Sequence, residues 1–167
     1  MQGPPETARQ APAGTARIVS FWLRGQLFAL PIERVRETIA LGKRPITRVF
    51  QTPDFVLGIV NLRGTILAVL DLGRYLGLGR GSTGETSRVL VVEGEALRKS
   101  AGLLVDAIAP WQTMSPQALL PPPPTLRGER AACVRGVIMQ TDERPLTLLD
   151  VDAVIGAPEL RPFRRTA

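Results

Sequence analysis

The chain has 167 residues, with 21 Lys and Arg against 15 Asp and Glu for a formal net charge of +6, one cysteine and no histidine. Without an imidazole there is no Ser-His-Asp or Cys-His relay, no histidine-ligated zinc and no phosphorylatable histidine, and a lone thiol builds neither an internal disulfide nor a multi-thiolate metal site. The length suits one domain with a proper core, the 5% aromatic content makes that core aliphatic, and no apolar run approaches the roughly 18 residues of a membrane span.

Residues 1–16 are rich in Pro, Gly, Ala and Thr without periodicity and read as a disordered leader. They carry no charged-then-apolar signal pattern, so a cytoplasmic protein is the expectation. Ile18–Arg24 and Leu27–Ile32 then read as two strands joined by a hairpin turn at Gly25-Gln26. In the polar stretch Glu33–Thr38, the spacing of Val35 and Ile39 predicts a short helix. Pro45–Val49 resembles an edge strand, because its leading proline has no N–H for a ladder. A long apolar strand, Phe55–Leu62, turns at Arg63-Gly64 and returns as Thr65–Leu70, after which Asp71 caps a short helix through Tyr75. The stretch Gly77–Ser87 is glycine-rich and reads as a mobile loop.

The second half reuses the same vocabulary. Arg88–Glu93, Ala101–Val105 and Trp111–Met114 read as strands, Ser115–Leu119 as a helix start with serine as cap, and Pro121–Pro124 as a stiff connector. Cys133–Met139 and Pro145–Leu149 form a hairpin, and Asp150 caps a last short helix. Val56–Val60 with Leu67–Leu72 is echoed by Val134–Ile138 with Leu146–Val151, and Phe28–Val35 by Ala101–Ile108. An all-β fold of two similar small barrels, sharing one core and with a few short helices, follows from these echoes.

Little in the chain resembles chemistry, and no catalytic, metal-binding or cofactor-binding residue is assigned. The Gly77–Gly84 spacing lacks the following helix that a phosphate loop needs. Asp142-Glu143 falls in a turn, Asp71, Asp150 and Asp152 sit at helix starts, and Cys133 reads as a small buried hydrophobe. The positive charge is scattered, with its densest cluster in the basic tail at 157–167. Asn61-Leu62-Arg63-Gly64 stands out instead: a tight turn needs its glycine, but it does not need a charged fork beside it. Arg63 offers bidentate recognition of a carboxylate, and Glu37 is a candidate partner, within the domain or across an interface.

The run from Thr52 to Leu72 resembles the signature of the CheW-like family of bacterial chemotaxis coupling proteins. So do Gly25–Glu37, Gly102–Asp106, Val134–Gly136 and Leu148–Asp150. The resemblance covers residues 17–156 and implies two five-stranded SH3-like barrels around a shared hydrophobic core. It further implies an adaptor that is not an enzyme, tying the cytoplasmic tip of methyl-accepting chemoreceptors to the CheW-like regulatory domain of a CheA-type histidine kinase. Such a protein needs no cofactor and does not insert into the membrane, but is recruited from the cytoplasm to membrane-associated receptor arrays. Val35, Glu37, Gly58 and Arg63 match the family's receptor-contact positions, and Asn61 joins them from the same turn as Arg63. The alternative is a basic small-barrel protein that binds nucleic acid, motivated by the chain's charge. An isolated fragment of a kinase, or a coupling protein with a lost receiver domain, is disfavoured because both ends read as free termini.

Overall fold

The computed structural model describes residues 14–42, 44–79, 83–95, 99–124 and 130–156. The expectations for residues 1–13, for the tail 157–167 and for the middle of the Gly77–Ser87 loop lie outside these. Alternation of apolar residues at period two makes β1 (Ala16–Leu23) and β2 (Gln26–Pro31) a hairpin. Its last pair is Leu23 with Gln26, so the turn is Arg24-Gly25, one residue earlier than expected. Both turn residues have positive φ, 49° and 77°, the geometry whose twist matches that of the flanking strands.

The expected helix at Glu33–Thr38 does not form. A short 3-10 turn, Ile32–Arg34, leads into strand β3 (Val35–Ala40), so Val35 and Glu37 sit on a strand edge rather than a helix face. A spacing of four residues belongs to both periodicities, and the β-branched Val35, Thr38 and Ile39 favour the extended one. The expected strand Pro45–Val49 shrinks to one bridge, in which Thr47 and Ile59 exchange N–H···O bonds of 2.9 and 2.8 Å. The next hairpin is β4 (Val56–Leu62) and β5 (Thr65–Asp71), followed by α1 (Leu72–Tyr75) with the Asp71 carboxylate accepting from the Arg74 N–H.

Downstream lie β6 (Arg88–Glu93), β7 (Ser100–Val105), β8 (Ala107–Ile108) and β9 (Gln112–Met114). The helix expected at Ser115–Leu119 is a single 3-10 turn, and Ser115 spends its hydroxyl on the Gln117 side chain instead of a cap. Cys133 ends another 3-10 turn just before β10 (Val134–Met139), which pairs with β11 (Pro145–Leu149). The short helix α2 (Val151–Ile155) is capped by Asp150.

Two sheets result. One runs β3-β6-β7-β5-β4, and the other β10-β11-β2-β1 with β8 and β9 both against β1. β8 and β9 are one strand interrupted at Pro110, so each sheet has five strand positions. Ser20, buried opposite the gap, donates its hydroxyl to the Pro110 carbonyl and accepts from Gln112. Thr47 bridges β4 and, equivalently, Leu120 bridges β10, turning each sheet back toward itself as an SH3-like barrel. The units are not successive halves of the chain: the first hairpin completes the barrel built by the last strands, through the parallel pair β2/β11. The matching parallel pair in the other barrel is β5/β7.

Each barrel has its own interior, Ile39, Val60, Leu67, Val69 and Val89 in one and Ile18, Ala29, Ile138, Leu146 and Leu148 in the other. Between them lies the largest cluster, where Phe21, Leu23 and Leu30 meet Leu70, Leu90, Leu103, Leu149 and Val154. This is the shared core that the resemblance implies.

Gly58 has a structural duty here. It sits at a bulge in β4 with φ 144°, and a β-carbon would lie 2.2 Å from the Thr47 carbonyl oxygen. Gly58→Ala is therefore expected to break the Thr47–Ile59 bridge and cost about 2–3 kcal/mol, readable as a lowered urea midpoint at unchanged slope.

Candidate functional site

The five positions singled out in the sequence fall on three neighbouring features of one barrel. Val35 and Glu37 lie on β3, Gly58 and Asn61 on β4, and Arg63 in the β4–β5 turn. β3 and β4 are the two outer strands of their sheet, and the barrel's curvature brings them together: Arg63 Nη2 donates to Glu37 Oε2 at 2.5 Å. The candidate pair thus forms within the domain. Asn61 has a local task, its Oδ1 accepting from the Gly64 N–H at 2.8 Å and pinning the turn. Gly58 makes room for the bridge on the same strand, and Val35 is half-buried beside the core.

The sequence reading missed Ile66. It stands opposite Asn61 in the ladder, which places both on one face of the hairpin, and it is 57% exposed. Its signal was the outward phase of the alternation in Thr65–Leu70. Val35, Glu37, Asn61, Arg63 and Ile66 together give a small surface with an arginine fork beside an apolar side chain, the composition of an interaction hot spot.

Two Arg-Gly turns share the left-handed geometry, with Arg24 at φ 49° and Arg63 at φ 50°. Holding a side chain other than glycine there costs roughly 1 kcal/mol. For Arg24 the fold offsets that cost. Its backbone N–H and Nη1 both donate to Asp106, at 2.6 and 2.8 Å, and its Nη2 donates to Asp71 at 2.9 Å and to the Gly79 carbonyl at 2.9 Å. Asp71 is only 3% exposed, so this arginine neutralises a buried carboxylate. Arg63 has no such return: its side chain is 73% exposed, and an exposed ion pair contributes about 0–1 kcal/mol. A residue that strains its turn without stabilising the fold is explained by what it presents to the outside.

Among the described residues no group of acidic or cysteine side chains is gathered to hold a metal ion. No helix among them is long and apolar enough to cross a membrane.

Comparison with known proteins agrees with this architecture. The family model described as the CheW-like domain matches residues 17–159. The chain is 30% identical over 146 residues to a probable chemotaxis protein CheW from Rhizobium etli, covering 87% of this chain and 91% of that one. It is 29% identical over 152 residues to the chemotaxis protein CheW of Rhizobium meliloti, covering 91% and 95%. Its fold superposes on the crystal structure of the scaffolding protein TtCheW from Thermoanaerobacter tengcongensis with a TM-score of 0.74 and 32% identity, over 86% of this chain and 94% of that one. Two SH3-like barrels around one core, the Asn61–Gly64 turn at the barrel edge and a match over nearly the whole described chain place this protein in the CheW-like family.

Proposed function

We propose that this chain is a chemosensory adaptor, coupling methyl-accepting chemoreceptors to a CheA-type histidine kinase through protein surfaces and catalysing nothing itself. The observation that carries this reading is Arg63, held in a strained turn conformation that the fold repays with little more than one exposed ion pair, and aimed outward beside Glu37 and Ile66. The names of the relatives support it, as chemotaxis and scaffolding proteins. In this reading Val35, Glu37, Gly58, Asn61 and Arg63 form or support the contact with the receptor tip, and the kinase's CheW-like regulatory domain is the second partner. The protein works in the cytoplasm and is recruited to membrane-associated arrays, without cofactor or metal. The leader 1–16 and the tail 157–167 flank the working domain.

Reconstitution of receptor, kinase and this chain tests the proposal. Adding the chain is expected to make kinase activity receptor-dependent, and Arg63→Ala or Glu37→Ala to remove most of that dependence while both variants melt like the parent. Equal receptor control with and without the chain would sink the assignment. The family match favours the adaptor over the nucleic-acid alternative, for which salt-dependent DNA binding at physiological ionic strength is the discriminating assay; none beyond weak nonspecific association is expected.

A further inference from the structure

The two barrels meet through a shared apolar core, whose burial is non-directional although its close packing constrains the angle between them. Directional polar contacts add to that constraint. Having left the first barrel between β2 and β3, the chain returns to it between β7 and β8 through a single residue, Asp106, whose N–H bonds to the Trp22 carbonyl at 3.0 Å. Arg24, in the hairpin turn of the barrel that the chain is entering, holds this crossover by two hydrogen bonds. The other arm of the same guanidinium holds Asp71, the last residue of β5 in the barrel that the chain is leaving, with both carboxylate oxygens within 3.2 Å. Nη2 also bonds the Gly79 carbonyl, and Gly73 leaves the space for the fork, since a β-carbon there would lie 2.6 Å from Nη1.

We propose that Arg24 is a positioning residue, a latch whose planar fork sets the mutual angle of the two barrels and so the register between the faces they present. The consequence for signalling rests on the adaptor reading above, in which two partners must be held at once in a fixed relation. A lysine keeps the charge next to Asp71 but is a single point, and it cannot span two carboxylates on different elements as a fork does. Charge neutralisation and angle are therefore separable.

Arg24→Lys and Asp106→Asn are the test variants. Asp106→Asn is the milder, because its side chain is 31% exposed and the Arg24–Asp71 contact survives it. Residual dipolar couplings measured on amides of both sheets report the angle between the barrels directly. Both variants are expected to keep cooperative melting, while the two sheets no longer fit one alignment tensor at the parent's relative orientation. In the reconstituted assay, binding to receptor alone and to kinase alone should stay within about twofold of the parent, and receptor control of the kinase should fall about fivefold or more. Parental orientation in both variants overturns the latch, and altered orientation with parental coupling overturns its consequence for signalling. If the parent chain binds neither partner, the adaptor reading fails by itself and the dipolar couplings still decide whether Arg24 sets the angle. Should Arg24→Lys not fold, Asp106→Asn decides alone.

Discussion

Exchanging the charges of the surface pair, with Glu37→Arg and Arg63→Glu in one chain, is expected to weaken receptor-dependent kinase control about 30-fold or more while the melting temperature moves by only about 2–3 °C. The small thermal effect follows from exposure. Arg63 is 73% exposed and Glu37 31%, so the pair contributes about 0–1 kcal/mol, and at this size 1 kcal/mol corresponds to roughly 2–4 °C. The large functional effect follows from the geometry of the fork. Beyond its contact with Glu37, Arg63 has donors left over for a partner's carboxylate or carbonyl, and truncation of such an anchor at an interface costs about 2 kcal/mol or more. The double exchange separates two roles that single substitutions confound. If the pair served only to draw β3 and β4 together, the reversed pair would do so equally well and coupling would return. An arginine at 37 on a flat strand cannot present its fork from the position of a turn residue, so no rescue is expected. Parental coupling in the exchanged chain would mean that the pair is structural and that the partner contact lies elsewhere.

What could be read from the sequence was what neighbouring residues decide. The Asn61–Gly64 turn was legible because glycine at a left-handed position between two alternating apolar runs admits few other readings, and Asp71 and Asp150 were legible as caps for the same local reason. The two-barrel architecture was legible through its echoes, because the repeated units meet the same constraints: a β-carbon on Gly136 would lie 2.3 Å from the Leu120 carbonyl oxygen, as one on Gly58 would from that of Thr47. A spacing of four at β3 fits both a helix and a strand, and pairing with β6, about 50 positions downstream, settles it. The gap between β8 and β9 depends on Ser20, on another strand altogether. Arg24 looks like a mere strand end in the sequence because its partners lie 47 and 82 positions away, beyond the reach of any local rule. The candidate site was therefore more legible than its support: Arg63 advertises itself in a tetrapeptide, whereas the latch appears only once the barrels are assembled.

The same echo supplies an internal control for a large stability effect. Asp71 and Asp150 occupy equivalent positions, each ending a strand and capping a short helix, at 3.1 Å from the Arg74 N–H and 3.2 Å from the Ala153 N–H. They differ in what else they hold. Asp150 is 31% exposed and, beyond its cap, its carboxylate has among the described residues only a 3.5 Å contact with Arg135, so Asp150→Ala should cost about 1 kcal/mol, the worth of a cap. Asp71 is buried and faces the Arg24 fork, itself 16% exposed, so Asp71→Ala removes the cap and also leaves a buried guanidinium with half its counter-charge. Breaking one side of a buried pair costs about 3–5 kcal/mol, which predicts an excess over Asp150→Ala of about 2–4 kcal/mol, or roughly 5–15 °C in melting temperature. The two effects also combine differently with the loss of the cation. In an Asp71→Ala background, Arg24→Met should recover part of the lost stability, because no charge is then left unpaired in the core, and Asp106 is exposed enough to be solvated. In an Asp150→Ala background the same Arg24→Met change should only add its own cost, since Asp71 would remain buried without a partner. Equal losses for the two aspartates, or simple additivity of Arg24→Met in both backgrounds, would show that the fork is not what makes Asp71 different. The sign of that coupling, positive in one barrel and absent in the other, is the measurement that separates a buried charge pair from a helix cap.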